Sequence, residues 1–218
     1  MHHIILPTFG LEVHVALMIY IIVGLAIFTG IMAGRLKLVP GKTQSIFEIV
    51  INAFMDLVDE TMGPKGRKYF PFLVTFAIFI FVCNVLGMIP GFYPPTANLN
   101  ITLALALIVF VATHIIGFKE HGVGYLKHFM GPVWWLAPLM IPIEVIGHFA
   151  RPVSLSLRLF GNIMGHEQIV MVLLLLMPIA YPLLALTTVL GVLVIFIQAF
   201  IFTLLSMMYI GGALEEAH

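Results

Sequence analysis

The sequence predicts an all-α polytopic membrane protein with about five membrane helices and one amphipathic surface helix. Of its 218 residues, 61% are hydrophobic and only 9% are charged, whereas soluble domains carry about 25% charged residues. The apolar residues form runs of about 20, the length at which a helix crosses roughly 30 Å of hydrocarbon. No soluble fold could bury this much apolar surface, so the whole chain, 1–218, is expected to be a single membrane domain.

Several function classes are excluded by the composition. The ten basic and ten acidic side chains balance, which gives no support to nucleic-acid binding. The single Cys83 cannot form an internal disulfide, and no Cys/His set has zinc-site spacing. No nucleotide-binding motif is present, so no cofactor or metal and no covalent chemistry are expected. The N-terminus lacks a basic n-region, so no cleaved signal peptide is expected.

The first two thirds of the chain divide at charges and turn residues. The first span is expected within 1–34. The cytoplasmic segment 35–68 contains an amphipathic helix at 43–60, whose apolar side chains share one face, as in helices that lie on a membrane surface. Two further spans form a hairpin over 69–118, and 119–141 is expected to be a polar and interfacial connection.

The positions of lysine and arginine predict the orientation in the membrane. Six of the ten lie within 34–68 and two more within 119–130, whereas the turn-rich loop 91–98 has none. The positive-inside rule places the two basic segments in the cytoplasm and the loop outside. The N-terminus is then outside, and the tail 212–218 is cytoplasmic.

The last third of the chain is expected to be a long helical hairpin, 142–211. Its two helices, about 142–176 and 182–211, are separated at Pro178 and Pro182, because proline disfavours helix at the residue before it. Each helix is longer than a perpendicular span requires, so at least one should be strongly tilted.

Arg158 is the most informative residue, because it lies inside an otherwise apolar run. An arginine at the centre of a membrane helix costs about 2.5–3.5 kcal/mol, and such charges usually belong to ion paths. A leucine would pack equally well, so a structural role is disfavoured. No acidic residue lies at i±3 or i±4, so we expect the counter-charge to come from another subunit.

Other polar residues on the same helix form a candidate set. At 100° per residue, Glu144, His148, Arg158 and Asn162 fall near one face. Glu144 and His148 are either a surface ion pair or the lining of an aqueous access path. Glu167 lies about 180° around from Arg158 and roughly 13 Å along the axis, so it is expected to serve a different step.

Folding the hairpin about residue 180 predicts contacts between its two helices. Gln198 comes level with Asn162, either as part of the site or as an interhelical hydrogen-bonding residue. Glu167 comes close to Gly191, where a glycine leaves room for water. His166 is either a packing residue or a partner of Glu167.

The run 151–162, Arg-Pro-Val-Ser-Leu-Ser-Leu-Arg-Leu-Phe-Gly-Asn, closely resembles the signature of subunit a of F-type ATP synthases. The run 197–202 is similar to the matching signature on that subunit's final helix, and 90–100 is similar to its preceding loop. The similarity covers most of the chain, in order and with compatible spacing.

This resemblance implies the stator subunit of a rotary motor, with no ATP chemistry of its own. Its partners would be a c-subunit ring facing Arg158, peripheral-stalk b subunits and the lipid bilayer of a bacterial inner membrane. Two offset half-channels would carry protons (or Na⁺) to and from the ring carboxylates, with Arg158 as the barrier between them. The residues expected in ion translocation, all on the final hairpin, are Arg158, Glu167, Gln198, Asn162, His166, Glu144, His148 and Ser154.

Two positions depart from the family pattern. Some relatives have a histidine or an acid at the position matching Gly191, and many have a small residue at the position matching His166. We therefore hypothesise that His166 replaces the missing ionisable partner and forms a relay with Glu167. A secondary transporter is the rival interpretation, but the expected inverted repeats are not evident.

Overall fold

The structure, a computed structural model, describes residues 12–35, 37, 41–89, 93–122, 124–125, 137–176 and 181–214. Within these ranges it contains six α-helices, two 3₁₀ helices and no strand. The α-helices are α1 (Val13–Ala33), α2 (Lys42–Met62), α3 (Phe70–Leu86), α4 (Leu99–His121), α5 (Ala137–Leu175) and α6 (Tyr181–Leu214). The 3₁₀ helices are Pro64–Tyr69 and Pro95–Ala97.

These helices confirm the predicted fold class. Some of the predictions fall outside the described residues, namely residues 1–11, residues 126–136 of the predicted connection, the turn at Pro178 and the tail beyond residue 214. The orientation and the tilt in a bilayer stay predictions.

Four helical segments in the described part of the chain are long and apolar enough to cross a membrane. They are Val13–Ala33, Pro64–Leu86, Leu99–His121 and Tyr181–Leu214. The remaining predicted membrane helix, α5, is 39 residues long and carries four charged side chains: Glu144, Arg151, Arg158 and Glu167. Three of these four, all except Arg151, are predicted site residues.

The amphipathic helix α2 has two different environments along its length. At its N-terminal half Ile46, Phe47 and Ile49 are exposed, as expected of a face in contact with lipid. At its C-terminal end Val58 and Met62 are buried in a cluster with residues of α6. The predicted apolar stripe therefore serves two surfaces, and α2 is anchored to the bundle at one end.

A salt bridge from Arg67 to Asp59 joins the end of α2 to the following 3₁₀ helix. The hydrogen bond from this guanidinium lowers the pKa of Asp59. The pair therefore stabilises the folded form at pH values above the ordinary pKa of a carboxyl group. This contribution disappears as the pH falls through the lowered pKa of Asp59.

The main core lies where α3, α4, α5 and α6 meet. Leu155 and Leu159 of α5, Ile80 of α3 and Phe202 of α6 are almost completely buried there. The rings of Phe76 and Phe202 are stacked, with 6.2 Å between centroids. These contacts fix the rotation of α5 and α6 and so decide which polar side chains meet.

Replacing Phe202 with alanine is expected to destabilise the bundle by roughly 3 kcal/mol, the lower end of the usual core Phe→Ala cost. The lower end applies because lipid solvates an apolar side chain, so that lost packing rather than lost burial dominates. Denaturant titration in micelles measures the effect. Phe200→Ala is the matched control, since Phe200 is 46% exposed on the same helix. Equal destabilisation by both variants would contradict this description of the core.

Candidate functional site

Arg158 lies on the exposed face of α5, at the edge of the helix surface that packs into the core. Leu155 and Leu159, three residues before it and one after, are buried, whereas Arg158 itself is exposed. Among the described residues, no carboxylate lies within 4.0 Å of its guanidinium. The charge is therefore presented outward, as expected if its counter-charge lies on another subunit.

The predicted polar stripe on α5 does not share one environment. His148 and Leu155 are buried, whereas Arg158 and Asn162 are exposed. The stripe runs along the border of the buried face, so its members differ in exposure. Periodicity places residues on one side of a helix, but it cannot tell where the neighbouring helices end.

A cavity of about 380 Å³ lies beyond Arg158 toward the C-terminal end of α5. We call it the Glu167 cavity. Residues of α3, α5 and α6 line it, including Asn84, Asn162, His166, Glu167, Thr187 and Gly191. The structure thus brings together three of the predicted site residues, together with the predicted neighbour Gly191.

The imidazole of His166 occupies the space beside Gly191. A Cβ atom added to Gly191 would clash with His166 Nε2 and lie 2.9 Å from Cδ2. His166 Nε2 is buried, without a hydrogen-bond partner among the described residues. His14 and His166 are the histidines near the Glu167 carboxylate among the described residues. The missing side chain at 191 and the histidine at 166 are therefore spatially linked.

Asn162 and Gln198 meet as the hairpin geometry predicts. Asn162 Nδ2 donates to Gln198 Oε1 over 2.5 Å, and Gln198 is only 2% exposed. The hydrogen bond joins α5 to α6 one turn beyond Arg158. It fixes the orientation of both amides beside the arginine.

A second cavity, of about 220 Å³, lies on the other side of Arg158, toward the N-terminal end of α5. We call it the His148 cavity. His148 and Arg151 of α5, Thr113 of α4 and Tyr209 of α6 line it. Helices α4, α5 and α6 therefore line a second space, and no described residue lines both this cavity and the Glu167 cavity.

Glu144 holds the charged groups of the His148 cavity in place. Its backbone carbonyl accepts a hydrogen bond from His148 Nδ1 at 3.0 Å, and its carboxylate lies 3.4 Å from the same nitrogen. Arg151 Nη2 is 4.0 Å from that carboxylate, and its guanidinium lies over the Tyr209 ring. The two interpretations of Glu144 and His148 are therefore compatible, because His148 lines the cavity and also lies within ion-pairing distance of Glu144.

Ser154 is exposed and lines neither the Glu167 cavity nor the His148 cavity. It lies one turn before Arg158 on the outward surface of α5. Its predicted part in translocation therefore has no support from either cavity, and only a partner at the Arg158 surface could use it.

Sequence reasoning missed two polar residues near the Glu167 cavity. Asn84 of α3 is 1% exposed. It accepts a hydrogen bond from Thr96, and its Nδ2 has no partner among the described residues. His14 of α1 lies 3.3 Å from the Pro94 carbonyl oxygen. The available signal was an isolated amide in an apolar span, a pattern that often marks function in membranes.

Comparison with known proteins gives the same family as the signatures. The family model described as ATP synthase A chain matches residues 15–211. The chain is 53% identical to "ATP synthase subunit a 1" of Syntrophotalea carbinolica over 98% of this chain and 90% of that protein. It is 57% identical to "ATP synthase subunit a" of Geobacter sulfurreducens over 91% of this chain and 86% of that protein. The chain therefore belongs to the ATP synthase A chain family, the family of the membrane-sector stator subunit of F-type ATP synthases.

Proposed function

We propose that this chain provides two offset proton half-channels of a rotary ATP synthase and that Arg158 is the barrier between them. The two cavities along α5 carry the proposal. The His148 cavity and an adjoining small void reach as far as Leu155, and the Glu167 cavity begins at Gly161. These residues are about 9 Å apart along the helix, and Arg158 lies between them.

The exposed guanidinium supports a c ring as the partner at this surface. An arginine remains charged in any accessible pH range and is costly to leave in lipid without a counter-charge. A carboxylate on each subunit of a passing ring would supply that counter-charge in turn. Peripheral-stalk b subunits are the further partners that we propose for the same membrane sector.

Proton flow and rotation would then be coupled by electrostatics. A proton arriving through one cavity neutralises a ring carboxylate, which can then move into lipid. When the carboxylate reaches Arg158 from the other side, the positive charge favours the ionised form and hence proton release. Because the cavities do not join at Arg158, the proton can cross only by turning the ring. Each charge that crosses 100 mV provides about 2.3 kcal/mol.

The two cavities supply different groups for this task. Glu167 and His166 are the ionisable residues of α5 in the Glu167 cavity, and we propose that they exchange protons with water there. The hydrogen-bonded amides of Asn162 and Gln198 lie next to Arg158, at the boundary between the two half-channels. His148 and Glu144 serve the opposite path. In the proposed orientation, with the N-terminus outside and the C-terminus cytoplasmic, the Glu167 cavity opens outward and the His148 cavity opens to the cytoplasm.

Sided thiol labelling tests the proposal. In a Cys83→Ala background, Thr187→Cys marks the Glu167 cavity and Thr113→Cys marks the His148 cavity. A membrane-impermeant thiol reagent is expected to label position 187 only from outside and position 113 only from the cytoplasm. Both lining threonines are close in size to cysteine, so each cavity should keep its shape.

Ile115→Cys is the matched control for this labelling. It lies on α4 two residues from Thr113 and is 61% exposed on the helix surface, where lipid should keep a charged reagent away. Labelling of position 187 or 113 from both sides would contradict separate half-channels. It would instead support a secondary transporter, whose central site opens to each side in turn.

A further inference from the structure

His114 and His148 lie against each other at the inner end of the His148 cavity. His114 belongs to α4 and His148 to α5, and their ring centroids are 5.5 Å apart with an interplanar angle of 74°. The centroid of the Phe110 ring lies 4.3 Å from that of His114, and the centroid of the Tyr125 ring lies 5.9 Å from it. The His114 imidazole therefore packs among aromatic neighbours as well as against His148.

Backbone carbonyls select the tautomer of both rings. His114 Nδ1 lies 2.8 Å from the Phe110 carbonyl oxygen, and His148 Nδ1 lies 3.0 Å from that of Glu144. A carbonyl oxygen only accepts, so each Nδ1 must carry a proton. In the neutral ring Nε2 is then the acceptor, and it is the atom that gains the second proton.

The two histidines border a small void as well as each other. Its volume is about 10 Å³, close to the space that one water needs. Its other lining residues include Arg151, Leu155 and Tyr209. The void adjoins the larger His148 cavity, with which it shares Thr113, His148, Arg151 and Tyr209. It extends that cavity toward Leu155, one turn before Arg158.

We infer that His114 and His148 form a two-imidazole proton relay at the narrow end of the His148 cavity. The inference rests on the proposed function. A proton that comes from the side of the proposed c ring binds Nε2 of one imidazole and makes it an imidazolium. The proton then passes through a single water in the void to Nε2 of the other imidazole, and from there to the wider cavity. One N–H bond breaks, the water gains one proton and gives up another, and a new N–H bond forms on the second imidazole, so that the net change is the transfer of one proton.

The surroundings suit an imidazolium that forms and disappears. The Glu144 carboxylate lies 3.4 Å from His148 Nδ1 and offsets the positive charge. The positive charge of Arg151, which lines the same void, opposes the imidazolium. Tyr125 and Tyr209 are the other titratable side chains that face the pair. Neither carries charge near neutral pH, because the reference pKa of tyrosine is about 10.

The test uses the complete ATP synthase in liposomes, with passive proton conductance measured after removal of the catalytic head. We expect His114→Gln and His148→Gln each to lower conductance roughly tenfold, less than the ~10²–10⁴-fold typical of a direct general base, because water can partly fill the gap. The double variant should lose no more than either single variant, since both act in one path. Added imidazole should restore conductance to His114→Ala, which a purely structural role would not allow.

His121→Gln is the matched control, because His121 lies on the same helix and lines neither cavity. Conductance of His114→Gln within about twofold of the parent chain, or no response of His114→Ala to imidazole, would overturn the relay. So would an equal loss in His121→Gln. If sided labelling still separates the two cavities, only the relay has failed. If the labelling is not sided, the proposed function has failed, whatever the histidine variants do.

Discussion

Arg158→Ala is expected to abolish ATP-driven proton pumping while passive proton leak through the membrane sector persists or rises. The guanidinium is the only charge on the surface of α5 between the two cavities. Without it, no charge favours proton release from the carboxylate of the proposed ring, and none keeps protons from passing directly between the cavities. Removing one preorganised charge or donor costs about 10²–10³-fold in comparable settings, so pumping should fall by at least that factor.

Both quantities are measured in the same vesicles, with a pH-sensitive dye for pumping and a potassium diffusion potential for leak. Arg35→Ala is the control, since Arg35 is an exposed arginine just past the end of α1. Pumping that survives Arg158→Ala would mean that the barrier lies elsewhere. Loss of both pumping and leak would point to a blocked channel instead of an open one.

Moving the histidine from 166 to 191 is expected to restore a function that each single change destroys. His166→Gly removes the imidazole from beside Glu167, and pumping should fall by roughly the 10²-fold that loss of a proton-transfer group causes. Gly191→His alone should also fail, because its Cβ would clash with the His166 ring. In the double variant the ring returns to the same space from α6, so pumping should recover.

The rescue separates proton transfer from packing. His166→Gly with Gly191→Leu fills the same space without an ionisable group and should stay inactive. Activity in that variant would show that only bulk matters there. A His166→Ala variant that pumps normally from about pH 6 to about pH 9 would show that this histidine takes no part in proton transfer.

The sequence predicted the helices and the pairing of the last two, because both depend on local composition and helix length. Apolar runs, turn residues and 1.5 Å per residue are enough to bring Gln198 level with Asn162. Arg158 could be identified as functional because a charged side chain in a membrane helix is costly. In each case the information lies within one helix or one hairpin.

Contacts that depend on how separate helices rotate against each other could not be predicted from the sequence. Asn84 reaches the Glu167 cavity only because α3 packs with its amide turned toward α5 and α6. His114 and His148 are 34 positions apart in the chain, and their contact depends on how α4 and α5 rotate against each other. Such rotations are set by the packing of large core side chains, of which Phe202 is one. No periodicity within a single helix encodes them.

The outward position of Arg158 also bears on biogenesis. Without a partner, the inserted chain would expose a cation to acyl chains, at a cost of about 2.5–3.5 kcal/mol on insertion scales. Docking of the proposed ring would remove that cost and so favour the assembled complex over the free chain. An orphaned copy keeps an exposed charge that sets it apart from an assembled one.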